Sequence, residues 1–152
     1  VIKQPNSKHC FVCGLENPAG LKLAFYDDGR DQVRSDFQIG EQHQGYPGVV
    51  HGGIVASILD EVVGRVAMIG DHHHFMMTVK LQIKYRQPVP LATPLVAIGK
   101  LVKLRGRLGT ATGELGLPDG SVLAEAELTL ADLPQQFKID GDLEALGWRV
   151  YP

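Results

Sequence analysis

His51-Gly52-Gly53-Ile54-Val55-Ala56-Ser57-Ile58-Leu59-Asp60-Glu61-Val62-Val63-Gly64-Arg65-Val66-Ala67-Met68-Ile69 is the stretch on which the fold turns. It contains no proline, and Val55, Ile58, Leu59, Val62, Val66 and Ile69 recur at helical spacing, so it predicts one long helix over 51–69. At about 100° per residue the apolar arc covers half the circumference or more, too wide for a helix lying on an open surface. The helix is therefore expected to be wrapped by the rest of the chain.

Working outward, strand signals flank the helix on both sides. Before it, Leu21–Tyr26 partly alternates, stops at Asp27-Asp28-Gly29, and resumes at Gln32–Phe37, which reads as strand, turn and strand. Residues 39–50 are rich in Gly, Gln and His and include Pro47 and Gly48, which predicts a shaped loop. After the helix come three segments dense in strand formers, Met76–Arg86, Leu95–Leu104 and Leu108–Leu117; Pro118-Asp119-Gly120 then turns into Ser121–Leu130. The order predicts an α+β domain over 1–152 in which an antiparallel sheet curls around one central helix. Residues 1–20, with Pro5, Gly14, Pro18 and Gly20, read as a loop-rich segment, with order beginning near Leu21. Residues 131–152 read as a tail whose Trp148 and Tyr151 are available to dock on the body. His72-His73-His74 reads as a solvated loop in preference to a metal site.

The chain has 152 residues, 44% of them hydrophobic, which suits one domain with one core. Fifteen basic residues nearly balance 17 acidic ones, so the charge points to neither nucleic acid nor an acidic membrane face. No apolar run approaches the roughly 20 residues of a membrane span, and Val1–Cys10 lacks the regions of a signal peptide, so a cytoplasmic setting is expected. Cys10 and Cys13 stand in Cys-x-x-Cys-Gly. A closed zinc site needs four ligands, so His9, His43 or a second subunit would have to complete one; a tight structural turn is the preferred reading, with no metal and no cofactor expected.

Two adjacent acids on the helix separate by position. Glu61 falls on the polar face with Ser57 and Arg65, and its i,i+4 relation to Arg65 predicts a surface ion pair worth about 0.2–0.5 kcal/mol. Asp60 borders the apolar arc among Ala56, Ser57, Gly64 and Ala67, with no basic partner on the helix. Small residues there serve either helix packing or the approach of a ligand. Gly52 and Gly53 at the helix start favour the ligand, because a helix N-terminus exposes unpaired N–H groups and glycine lets a ligand atom come near them.

Gln44-Gly45-Tyr46-Pro47-Gly48-Val49-Val50-His51-Gly52-Gly53-Ile54, followed by Ser57-Ile58-Leu59-Asp60-Glu61, resembles the hot-dog thioesterases of the phenylacetic-acid-pathway type. Thr78–Pro90, with its Tyr85-Arg86-Gln87-Pro88, resembles the strand after the helix in that family. Gly106-Arg107 and Asp119-Gly120 with Ala124-Glu125-Ala126 fit its last hairpin, and the likeness covers about residues 10–135. The resemblance implies an acyl-CoA thioesterase that releases a free acid and CoA. In such enzymes the Gly52 N–H would polarise the thioester carbonyl. Asp60, supplied by the opposite subunit of a homodimer or of a homotetramer, would act as general base or as nucleophile. Thr78 would hold the water or the carboxylate. His51 is expected to be neutral and to shape the helix start, with two roles open: a structural cap, or a direct catalytic part through one donated hydrogen bond. The family's orienting amide falls at Gly45 here, with Gln44 as the adjacent substitute. Coenzyme A needs cations at the mouth of an apolar groove, and beside Gly53 the candidates for substrate binding are Arg86, Lys103, Arg105 and Arg107. Two other readings stay open: a non-catalytic acyl-CoA-binding module, and a hot-dog dehydratase using His43 and Glu61.

Overall fold

The computed structural model describes residues 1–134 and 143–152. Among the described residues seven antiparallel strands form one sheet: β1 (Ile2–Lys3), β2 (Tyr26–Asp27), β3 (Gln32–Phe37), β4 (Met76–Tyr85), β5 (Leu95–Arg105), β6 (Leu108–Gly116) and β7 (Val122–Asp132). Their order across the sheet is β1-β2-β3-β5-β6-β7-β4, so β4, the first strand after the helix, closes one edge. The helix α1 (Gly52–Gly64) lies in the curl of the sheet, the arrangement expected of a hot-dog fold. It continues as a 3-10 turn over Arg65–Met68 in place of the predicted α-helix to Ile69.

A pair of glycines seats the helix. Gly99 of β5 and Gly113 of β6 face each other in register. A Cβ on Gly99 would strike the Val62 carbonyl, and one on Gly113 would strike Val63 Cγ2. The missing side chains thus form a trough in which the helix backbone sits against the sheet. Val55, Ile58, Leu59, Val62 and Val63 are all buried there. The wide apolar arc of the helix is covered within one chain, while β4 leaves four apolar side chains exposed: Met77, Val79, Leu81 and Tyr85.

A bulge in β4 decides which of its side chains meet the helix. Thr78 pairs with Leu130 and Lys80 with Thr129, so Val79 is the extra residue. Because strand side chains alternate faces, one inserted residue exchanges the two faces. Met76 and Thr78 point inward before the bulge, and Ile83 and Tyr85 after it, while Lys80 and Gln82 line a groove with Thr110, Thr112 and Glu127 of the outer face.

The N-terminal segment differs from its prediction. Order begins at β1, and the segment folds over the helix face turned away from the sheet. Gln4, buried, donates to Asp27 Oδ2 (3.0 Å) and to the Arg65 carbonyl (3.3 Å); buried Asn6 donates to the Cys13 and Leu23 carbonyls, both at 2.8 Å. Leu23 and Phe25 are buried in the predicted alternation, but their neighbour is this segment and not a ladder strand: Leu21 and Leu23 donate to the Phe11 and Val12 carbonyls. Lys22, at φ 55°, interrupts the extended run, so strand pairing begins only at Tyr26.

The same covering buries the Glu61–Arg65 pair, which was expected at the surface. Arg65 is 1% exposed. Its Nε lies 3.1 Å from Glu61 Oε1, its Nη1 donates to the Pro5 carbonyl (2.8 Å), and its guanidinium stacks between Phe25 (4.2 Å) and Trp148 (5.3 Å). Burial pushes the Glu61 carboxyl up to about 7, against the opposing pull of Arg65. Trp148 docks as the sequence suggested, donating from Nε1 to the His72 carbonyl (2.9 Å) and meeting the Phe75 ring edge-on. Within the triple histidine only His73 is exposed; His74 bonds the Ala67 carbonyl and Asp132, each at 3.1 Å. Part of the predicted tail, 135–142, lies outside the described residues. Among the described residues no helix is long and apolar enough to cross a membrane.

Candidate active site

Helix α1 opens on a residue that caps it. His51 (φ −57°, ψ 137°) is the N-cap, and its Nδ1 accepts from the Gly53 N–H at 2.9 Å. An accepting Nδ1 carries no hydrogen, so the ring proton sits on Nε2, and the imidazole caps the helix start. Ile54 and Val55 donate to the His51 carbonyl. Three of the first helical N–H groups are thereby satisfied. Among the described residues, the Gly52 N–H alone of that turn has no hydrogen-bond partner, and Gly52 is exposed. This is the orphan donor of a helix N-terminus, aimed outward where the dipole is positive.

That donor faces a cleft of about 800 Å³ lined by Gln44, Val49, Val55, Tyr85, Arg86 and Val89, with His51 and Gly52 at its side. The 3-10 turn Glu41–His43 and the bridge between Gln44 and Val50 bring Gln44 there, where its Oε1 accepts from the Gly48 N–H at 3.4 Å. Tyr85, which the sequence reading quoted but gave no role, donates from its hydroxyl to the Gly52 carbonyl at 2.7 Å and lays its ring against the glycine. Its signal was hidden, because only the Val79 bulge turns position 85 inward. Arg86 lines the cleft while paired with Glu125 at 2.9 Å.

Asp60 lies elsewhere on the same helix. Thr78 Oγ1 donates to Asp60 Oδ1 at 2.7 Å, so of the two partners the family resemblance implied for this hydroxyl, water or carboxylate, it holds the carboxylate. No other hydrogen bond holds Asp60 among the described residues. Eight residues of helical rise place it about 12 Å along the axis from Gly52. Neither Asp60 nor Thr78 lines the cleft, and among the described lining residues there is no carboxylate. Lys103, Arg105 and Arg107 are exposed at the far end of the β5–β6 hairpin, also outside it. Gly53 spends its N–H on His51.

The residues weighed for a dehydratase are occupied otherwise. His43 Nε2 bonds the Ala19 carbonyl at 2.9 Å, Glu61 pairs with Arg65, and neither lines the cleft. What the cleft side offers is a directional hydrogen-bond donor in an apolar groove, suited to a carbonyl acquiring negative charge. What the Asp60 side offers is a carboxylate with one oxygen held and the other available to water.

Comparison with known proteins finds thioesterases. Residues 47–124, just over half of the chain, match the model of the Thioesterase superfamily. Acyl-coenzyme A thioesterase THEM4 of Rattus norvegicus is 35% identical over 106 residues, covering 69% of this chain and 45% of that protein, so the chain spans about half the length of its curated relative. A solved thioesterase superfamily protein superposes with a TM-score of 0.73 at 34% identity, covering 82% of this chain and 63% of its own. A hypothetical thioesterase of Streptococcus pneumoniae TIGR4, solved with coenzyme A, shares the fold at TM-score 0.66 and 18% identity, covering 80% of this chain and 92% of that one.

Proposed function

Because the chain belongs to the thioesterase superfamily, we propose that it hydrolyses an acyl-CoA, with each active site assembled from two copies of the chain. The observation that carries this reading is the unpartnered Gly52 N–H at the mouth of an apolar cleft whose described lining holds no carboxylate. The thioester carbonyl docks on that amide, which stabilises the tetrahedral oxyanion. The base or nucleophile is Asp60 of a second copy, its Oδ1 fixed by Thr78. β4 favours such pairing, since it is an edge strand with apolar side chains exposed and its backbone edge open. Arg86 is the cation nearest the CoA phosphates, with Lys103, Arg105 and Arg107 reserved for the outer part of the ligand. The near-zero net charge suits a small-molecule partner over nucleic acid or membrane, and the free Cys10 and Cys13 suit a reducing cytoplasm.

A hydrolysis screen over an acyl-CoA panel with thiol detection tests the activity, and no release of CoA from any member overturns it. Mixing chains tests the sharing. An Asp60→Asn homodimer lacks the base and a Gly52→Pro homodimer lacks the amide. In a mixed dimer one site holds both intact groups, so partial activity returns. Refolded mixtures that stay inactive while sizing as dimers place the whole site in one chain.

A further inference from the structure

We propose that Cys10, Cys13 and Glu61 form a binding site for a divalent metal of the zinc class, separate from the cleft. One sulfur from each cysteine and a carboxylate oxygen of Glu61 lie within 4.8 Å of one another. Zinc bonds of about 2.3 Å to sulfur and 2.0–2.2 Å to oxygen put tetrahedral ligand atoms roughly 3.5–3.8 Å apart, so the three need close by an ångström or so at most. The turn is already shaped for ligation. The Val12 N–H points at Cys10 Sγ (3.4 Å), a contact that favours a thiolate. The Gly14 N–H closes the turn on the Cys10 carbonyl at 2.8 Å, and a Cβ on Gly14 would collide with that carbonyl. Behind the ligands, Ser7 Oγ lies 3.6 Å from Cys13 Sγ and accepts from the Cys10 N–H, the kind of outer support that orients metal ligands.

Charge balance permits the ion in this largely buried place. Without metal, the Glu61 carboxylate already faces a counter-charge in Arg65. Binding of M²⁺ forms two metal–sulfur bonds and releases to solvent any proton that either sulfur carries, so that two thiolates balance the charge of the ion. Three protein ligands leave the fourth position to water, and Cys10 and Glu61 are only partly buried. The ion would clip the N-terminal turn to α1 at the residue next to Asp60.

The test loads the phosphine-reduced protein with Co²⁺ and follows the thiolate-to-metal charge-transfer absorption, then displaces it with Zn²⁺. One Co²⁺ per chain is expected, with the band absent in Cys13→Ser and in Cys10→Ser. Glu61→Gln, checked for fold by circular dichroism, keeps a thiolate band but binds at least tenfold more weakly. No band in the reduced wild type overturns the site, and so does a reduced wild type that takes no metal yet readily forms a Cys10–Cys13 disulfide, detected by mass. Unchanged affinity in a folded Glu61→Gln removes Glu61 from the ligand set. Should the serine variants fail to fold, the wild-type stoichiometry and the Glu61→Gln affinity still decide.

Discussion

Gly52→Pro removes one hydrogen atom from the proposed chemistry and little else. Proline has no N–H and a fixed φ near −65°, and it is favoured at the first helical position, which Gly52 occupies. The residue before a proline must be extended, and His51 already is, at φ −57° and ψ 137°. A Cβ at position 52 meets the Tyr85 ring at 3.7 Å, an ordinary contact. The Gly52 N–H makes no hydrogen bond within the described chain, so none is lost on substitution. The variant should therefore unfold within a few degrees of the wild type. Removing one oxyanion donor lowers turnover by about 10²–10³, or about 2.7–4 kcal/mol of transition-state stabilisation. Gly52→Ala is the control: it adds the Cβ, keeps the N–H, and should stay within a few-fold of wild type. The assay is kcat by thiol release at saturating acyl-CoA, beside thermal unfolding. A folded proline variant that turns over within tenfold of wild type would refute the oxyanion role of this amide.

Asp60→Asn should keep the Thr78 bond in weaker, uncharged form, shifting stability by only about 1 kcal/mol, while kcat falls on the order of 100-fold or more; active Asn protein removes Asp60 from the mechanism. Gly99→Ala drives a methyl into the Val62 carbonyl, and because the obstacle is helix backbone it should cost about 1–3 kcal/mol in urea unfolding, whereas a neutral result would mean the helix can lift off its trough. Arg65→Met leaves the Glu61 carboxyl without its counter-charge and frees the Pro5 carbonyl, so a loss of about 3–5 kcal/mol is expected, well beyond that of a surface pair; a loss under 1 kcal/mol would contradict the buried environment.

The elements most legible in the sequence were those whose burial follows one period. Val55, Ile58, Leu59 and Val62 read as a helix because a single face is buried against the sheet. The strands after it were found within a few residues at each end because the turns between them carry Gly, Pro or Asp. Thr78 and Asp60 came together as the family resemblance implied. What escaped was set by contacts that leave no periodic trace. The Val79 bulge reverses the facing of β4 without changing its composition, so Tyr85 could not be assigned to the helix start. Residues 1–20 look like solvent loop because their polar residues are many, yet Gln4 and Asn6 spend those polar groups on buried carbonyls and on Asp27. Glu61 and Arg65 look like a surface pair on a helical wheel, since a wheel takes no account of a loop folding back over that face.

The separation of the two chemical groups follows from the helix itself. Gly52 and Asp60 are fixed about 12 Å apart along a rigid axis, and an aspartate side chain is far too short to cross that distance. A base at the Gly52 amide must therefore come from the cleft lining or from a second molecule. His51 and Tyr85 are the lining groups nearest the amide that can exchange a proton; His51 Nδ1 is committed to Gly53 and the Tyr85 hydroxyl to the Gly52 carbonyl. In the proposed dimer, two copies related by a two-fold axis would remove the difficulty, because each helix would offer its N-terminus to one site and its Asp60 to the other. On this reading the open edge of β4 and the divided active site have one physical origin. The strand that holds Asp60 through Thr78 and Gly52 through Tyr85 is also a strand with one edge left open among the described residues.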